Sequence, residues 1–275
     1  MPFTTSHPAI ILPLKRIWPQ YLSLSGLMAG AMSPDLLYFL MMGTTERSFS
    51  HSWPGLVVFC IPAGVVFTFA FHWLFKRPFL RALPAPLDRY FSGLAESRFS
   101  VRGRRAWLVL IGSVAIGALS HFFWDSWTHA TGVLARQFPP LLSHVSILGR
   151  DMPVTTLLQH LSTLLGTATI LGFLVTGRLI PKPIAAFRPR PTSVKLRYWA
   201  IGVTGSLLAV ILSVEIWCGG FGVWSLTHCD RGTLIRSFGL GSWAGFFWAT
   251  SGYTVATAIK GAMRFPVERY DTKIE

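Results

Sequence analysis

The chain has 275 residues, of which 51% are hydrophobic, 14% aromatic and only 13% charged. Soluble domains carry roughly 25% charged residues, so a soluble globular fold is excluded and an integral membrane protein is expected. The formal charge of +14 lies in loops between apolar runs, where it matches the bias of cytoplasmic loops and contact with anionic lipid heads, and it does not point to nucleic acid.

In chain order, the first residues lack a basic n-region and a small-residue cleavage site, so Met1 onward is expected to be retained. Residues 8 to 18 form a short apolar segment interrupted by Pro13, Lys15 and Arg16, and a second run covers 20 to 42. A half-spanning hairpin fits this pattern: the chain enters from the outer face at His7, turns near Pro19, and returns with Pro34 and Asp35 close to the outer leaflet. The rival is one full span from 20 to 42 with the N-terminus inside, which would place His7 across the membrane from the other candidate ligands. Five runs follow, at 53 to 75, 106 to 130, 154 to 180, 198 to 218 and 238 to 260, each long enough for about 30 Å of hydrocarbon. All are expected to be helical, because in lipid every backbone polar group must be satisfied within its own segment. The fold class is therefore all-α, a polytopic membrane helical bundle of five full spans and an N-terminal helical hairpin.

The loop holding Lys76, Arg77, Arg81, Arg89, Arg98, Arg102, Arg104 and Arg105 is expected to be cytoplasmic, as is the loop holding Lys182, Arg188, Arg190, Lys195 and Arg197. The tail from Lys260 to Lys273 falls on the same side by alternation, leaving 43 to 52, 131 to 153 and 219 to 237 outside. Prolines at 181, 183, 189 and 191 divide a ligand-bearing part, 1 to 180, from a basic linker, two further helices and a tail, 181 to 275. Glu215 is the only acid within the later spans, and that part reads as scaffold or lid. The pairs Gly26 and Gly30, and Gly241 and Gly245, have the spacing that lets helices approach closely, and ordinary packing is their expected role.

The stretch from Ser120 to His129 carries most of the chemical information. Ionisable groups at a helix centre in lipid cost about 2.5 to 3.5 kcal/mol each on insertion scales, so they face a protein interior and a partner. Positions i, i+4 and i+8 drift by only about 80° around a helix, which sets His121, Asp125 and His129 along one face. At about 6 Å per four residues, His121 and Asp125 can share an ion, whereas His129 needs a second ion or an outer role. Projected onto the topology, Asp35, His51, His121, Asp125, His129 and His160 all fall near the outer ends of their helices, joined by His7 in the hairpin. His72 lies near the cytoplasmic end beside Lys76 and is set aside. His144 and His228 belong to outer loops and read as solvated. Each ligand has a plainer role open to it: Asp35 as N-cap of a helix starting at Leu36, His51 as a loop residue, His160 as a hydrogen-bonding partner of a neighbouring helix. Imidazole and carboxylate together suit a divalent metal, zinc first, with manganese or iron also matching, and two clusters of this kind could hold two ions. Gln159 and Thr128 are candidate supporting donors.

Taken as an ordered set, Met1-Pro2-Phe3-Thr4-Thr5-Ser6-His7-Pro8, Ser33-Pro34-Asp35, Ser50-His51-Ser52, Ser120-His121 through Asp125, and Gln159-His160 resemble an uncharacterised bacterial integral membrane family of the domain-of-unknown-function kind, over residues 1 to about 180. More distantly, the succession is similar to the YdjM-like membrane-bound metal-dependent hydrolases, which are grouped with zinc-dependent phospholipase C and the P1-type nucleases. That resemblance implies His7, Asp35, His51, His121 and Asp125 as metal ligands. The chain departs from it in holding Leu37 and Phe49 where YdjM-like proteins carry a second acid and an extra histidine.

These readings lead to an expected metal-dependent hydrolase in the bacterial inner membrane. It would cleave a phosphoester or other ester of an amphiphilic, lipid-linked substrate at the outer leaflet, with His129 or His160 as catalytic general base. Membrane lipids are the expected partners, and Arg136 and Arg150 are candidate phosphate contacts. Two alternatives stand beside it: a non-catalytic scaffold with a structural metal, and an ion or proton transporter, which would need titratable residues through the full membrane depth. Cys60 reads as a packing residue, while Cys218 and Cys229 share a loop in which a bridge is permitted.

Overall fold

A computed structural model describes residues 4–40, 49–147, 149–177, 180–218, 229 and 231–264. His228, the opening Met1-Pro2-Phe3 and the tail from residue 265 lie outside them. Among the described residues the structure is mostly helical. Four segments are long and apolar enough to cross a membrane: Trp53–Ala82, Gly103–Gln137, Val154–Val175 and Thr192–Cys218. The expected fifth span falls in a helix of sufficient length, Arg231–Arg264, which is not among those four.

The chain divides into two compact units, one of Met1–Phe71 with Glu96–Pro183, the other of His72–Ala95 with Ile184–Glu275. The expected division near residue 180 did not include the transfer of His72–Ala95 to the second unit. In the first unit a 3-10 helix, Thr4–Ile11, runs into α1, Leu12–Ile17. The chain then turns through 18–21, where the Lys15 ammonium donates to the carbonyls of Pro19 and Leu22 at 2.5 and 2.6 Å. It returns as α2, Leu24–Leu40. Ile11, Leu22, Leu27 and Ala31 close an apolar cluster between the two arms. The first span is α3, Trp53–Ala82. It contains two π-helical turns, Leu56–Cys60 and Phe71–Phe75. These end two and three residues before Pro62 and Pro78, whose missing N–H groups break the ordinary ladder. The span Gly103–Gln137 is built on α4, Gly103–Thr128, and α5 is Val154–Val175. Between them lies an antiparallel hairpin of β1, His144–Ile147, and β2, Arg150–Pro153.

Close approach of α2 and α4 positions the rest of this unit. A Cβ on Gly30 would collide with the Val114 backbone, and one on Gly117 with the backbone of Leu27 and Ala31. Only glycine lets the two main chains touch there. In the second unit, α6, Thr192–Cys218, and α7, Arg231–Arg264, meet in the same way, with Gly241 and Gly245 against Ala209, Val210 and Gly205. In the same unit the two basic segments of the sequence, after α3 and at the start of α6, are tied together. Lys195 donates to the buried carboxylate of Asp88 and to the Leu83 carbonyl at 2.9 Å, Trp199 Nε1 to the Ala82 carbonyl at 2.8 Å, and the Ile184 N–H to Ser92 Oγ at 2.8 Å. Cys218 and Cys229 are bridged, with Cα atoms 5.3 Å apart.

Candidate metal centre

The site begins with proline chemistry inside α2. Pro34 has no N–H to offer the Gly30 carbonyl four residues back, and the Ser33 hydroxyl supplies the missing donor at 2.8 Å. Asp35 is therefore an interior residue of α2, which overturns the reading of it as the N-cap of a new helix. Its side chain is buried. One turn earlier the Ala31 carbonyl accepts from Nδ1 of His121 at 2.8 Å, across the glycine contact between α2 and α4. A carbonyl can only accept, so Nδ1 of His121 carries a proton, and Nε2 is the ring atom turned to the carboxylates.

His121 and Asp125 occupy one face of the last two turns of α4. His121 is 0% exposed and the Asp125 side chain 13%. Beyond them α4 stops at Thr128, and His129 is its extended C-cap rather than a further helical position. The His129 ring folds back, Nδ1 3.3 Å from the Asp125 carbonyl and 3.5 Å from its Oδ1. Gln159 on α5 braces this end by donating to the Thr128 carbonyl at 2.6 Å, one of the acceptors that a helix terminus leaves over. Gln159 and Thr128 thus shape the end of α4.

His51 enters from the turn before α3. Ser52 caps that helix, accepting the Gly55 N–H at 3.1 Å and donating to the Phe49 carbonyl at 2.7 Å. Ser50 Oγ lies 3.1 Å from His51 Nδ1, and the buried Cys60 thiol, as expected a packing residue, donates to the Ser50 carbonyl at 3.1 Å. His7 comes from the N-terminal 3-10 helix and stacks on His121 with ring centroids 4.0 Å apart. A single span from 20 to 42 would have put His7 across the membrane from His121; the stacking contradicts that rival.

Five residues from four separate segments therefore converge. His51 Nε2 is 3.4 Å from Asp35 Oδ1 and 3.7 Å from Asp125 Oδ2. His121 Nε2 is 3.2 Å from Asp125 Oδ2 and 3.9 Å from Asp35 Oδ2, and His7 Nε2 is 3.7 Å from Asp125 Oδ1. Most of these separations exceed an N–H to O hydrogen bond, about 2.7 to 3.2 Å. They scatter from 3.2 to 3.9 Å around the roughly 3.3 to 3.6 Å between neighbouring ligand atoms held about 2.0 to 2.2 Å from a tetrahedral ion. Among the described residues, His121 Nε2, Asp125 Oδ1 and His7 Nδ1 are buried with no hydrogen-bond partner. Two groups have ligand atoms all within 4.8 Å of one another: His7, His121 and Asp125, and Asp35, His51 and His121. They overlap at His121, whose Nε2 has one lone pair, so only one of them can hold an ion through it.

The remaining candidates divide. His129 borders the centre, while His160 is exposed on α5 and is not brought to it. Leu37 is exposed and does not replace a ligand. His72 lies in the second π turn, outside both groups. His144 pairs with Asp151 at 2.7 Å on the surface hairpin. Arg136 is exposed on a short helix beyond α4, and Arg150 belongs to β2. Sequence reasoning missed the Ala31 carbonyl and the Ser33 hydroxyl. Pro34 is the signal that could have found the second; nothing local marks the first.

A cleft of about 1010 Å³ opens onto the centre, lined by His51, Asp125 and His129 and by Trp53, Phe122 and Phe123 among others. A smaller cavity of about 370 Å³ reaches His7 from the side of α5.

The chain belongs to the family defined by DUF4184, a domain of unknown function, which matches residues 1–255. No curated protein and no solved structure matches it, so the comparisons add nothing to the more distant likeness to YdjM-like hydrolases and phospholipase C.

Proposed function

We propose that this member of the family is a membrane-bound metal-dependent hydrolase acting on a phosphoester or other ester of an amphiphilic substrate. The observation that carries the reading is the cluster itself: three imidazole and two carboxylate side chains in two overlapping groups, each with its ligand atoms within 4.8 Å of one another, with the Nδ1 proton of His121 committed to a backbone carbonyl. His7, Asp35, His51, His121 and Asp125 would hold the ion. The mixed nitrogen and oxygen donor set suits zinc first, and manganese or iron as well. When bound, such an ion lowers the pKa of water toward about 7 and polarises an ester oxygen.

The chain's own residues supply the rest. His129 lines the cleft with its Nδ1 edge turned to Asp125, and is the imidazole placed to take or return a proton there. Phe122, Phe123 and Trp53 give the cleft an apolar wall beside the polar centre, the arrangement an amphiphile requires. Several features support a bacterial inner-membrane location with the centre toward the outer face. The two basic segments are joined through Asp88 and Lys195, as expected of loops on one side. The Cys218–Cys229 bridge suits an oxidising compartment for the loop between α6 and α7.

The test is hydrolysis of labelled amphiphilic phosphoesters and carboxylic esters by detergent-purified protein. Turnover that chelation abolishes and zinc restores is expected. An ion held firmly with no turnover of either class would make the centre structural. The transporter alternative gains no support from the cluster, which is confined to one end of its helices.

A further inference from the structure

The large cleft has a polar end and an apolar end. Leu119, Phe122, Phe123 and Ser126 recur at i, i+3, i+4 and i+7, forming one side of α4 that faces the cleft. Leu119 and Phe123 lie about 9 and 3 Å along the helix axis from Asp125, toward the middle of the span. Both are exposed, as is Trp53 in the first turn of α3, at 53% for Phe123 and 72% for Trp53. On a helix that spans a bilayer, exposed apolar side chains at that level would face acyl chains, and the rim they form would open sideways into hydrocarbon.

We infer that the cleft admits the hydrocarbon tail of a membrane lipid laterally from the bilayer, between the first turn of α3 and α4, with the lipid head at the cluster of His51, Asp125 and His129. The inference rests on the hydrolase reading for its chemistry and on the cleft alone for binding. Ser52, Ser126 and Thr131 place hydroxyls among the lining residues, which suits the glycerol or ester region between tail and head. The cleft's volume is at the upper end of ordinary small-molecule sites, about 300 to 1,000 Å³. The smaller cavity is the competing place for a tail: its wall runs along α5 through Leu158, Leu161 and Leu165, and it meets the centre only at His7.

The experiment reconstitutes the full chain in vesicles containing a phospholipid with a photoactivatable diazirine on its acyl chain, and maps adducts by peptide mass spectrometry. Leu164, exposed on α5 and lining neither cavity, reports the background of lipid contact. Labelling of Phe122 and Ser126 well above Leu164 is expected. Leu119→Trp, which fills the rim, should cut the Phe122 label by about tenfold, the effect of withdrawing two or so buried methylenes, and leave Leu164 unchanged. Phe123→Trp on the same rim guards against a folding failure. Adducts concentrated on Leu161 and Leu165, or a Phe122 label that neither variant lowers, would overturn the inference. Ion content measured on the same samples keeps the two readings apart: an ion without the cleft label sinks only the lateral route, and the label without an ion sinks only the metal centre.

Discussion

Each of the two units buries a carboxylate, and the two burials are built on opposite principles. Asp88, in the second unit, has every need met: Oδ1 accepts the Arg89 N–H at 2.8 Å and Oδ2 accepts from Lys195, which also donates to the Leu83 carbonyl. Cation, anion and hydrogen bonds match, which is what a buried pair needs to hold a fold together. Asp35 and Asp125, in the first unit, meet imidazole nitrogens at ligand spacing instead. The Nδ1 proton of His121 is spent on Ala31, which leaves its Nε2 turned to the two carboxylates. A matched buried acid reads as structure; an assembly with surplus acceptors calls for a cation.

Substitutions can break that contrast, and the largest effect is expected at the centre. Asp35→Asn should lose the ion altogether. Chelation should lower the unfolding midpoint of the wild type but not of this variant, because an ion at a hundred times its Kd contributes about 2.7 kcal/mol. Lys195→Met should do the reverse: leaving Asp88 buried and unpaired costs about 3 to 5 kcal/mol in a denaturant titration, with ion content unchanged. A smaller effect is expected of Gly117→Val, which pushes α2 from α4 and draws the Ala31 carbonyl away from His121. Affinity for zinc should fall about 10- to 100-fold, as when a ligand loses its orienting partner. Smallest is Ser33→Ala, which removes the donor to Gly30 and should cost about 1 kcal/mol of stability with the ion retained.

Much of the centre was legible because its signals are local. Four residues between His121 and Asp125 put both on one helical face whatever the fold around them. Counting along apolar runs placed Asp35 and His51 at a common depth. Depth was not enough for His160, which lies at the right end of α5 but faces away, since azimuth depends on which helices are neighbours. The end of α4 at Thr128 was equally hidden: an apolar pattern continues past it, and only the tertiary fold shows His129 turning back. The grouping of His72–Ala95 with the second unit rests on Lys195 and Trp199, more than a hundred residues downstream of their partners. No local pattern announces such a contact.

The central claim is that side chains from the N-terminal turn, α2, the start of α3 and α4 clasp one divalent cation. Elemental analysis of detergent-purified protein tests it most directly, with wild type compared against Asp35→Ala and His121→Ala. About one zinc, manganese or iron per wild-type chain is expected, since a single His121 Nε2 serves one ion, and almost none in either variant. A wild type without an ion, or variants holding as much as the wild type, would contradict it.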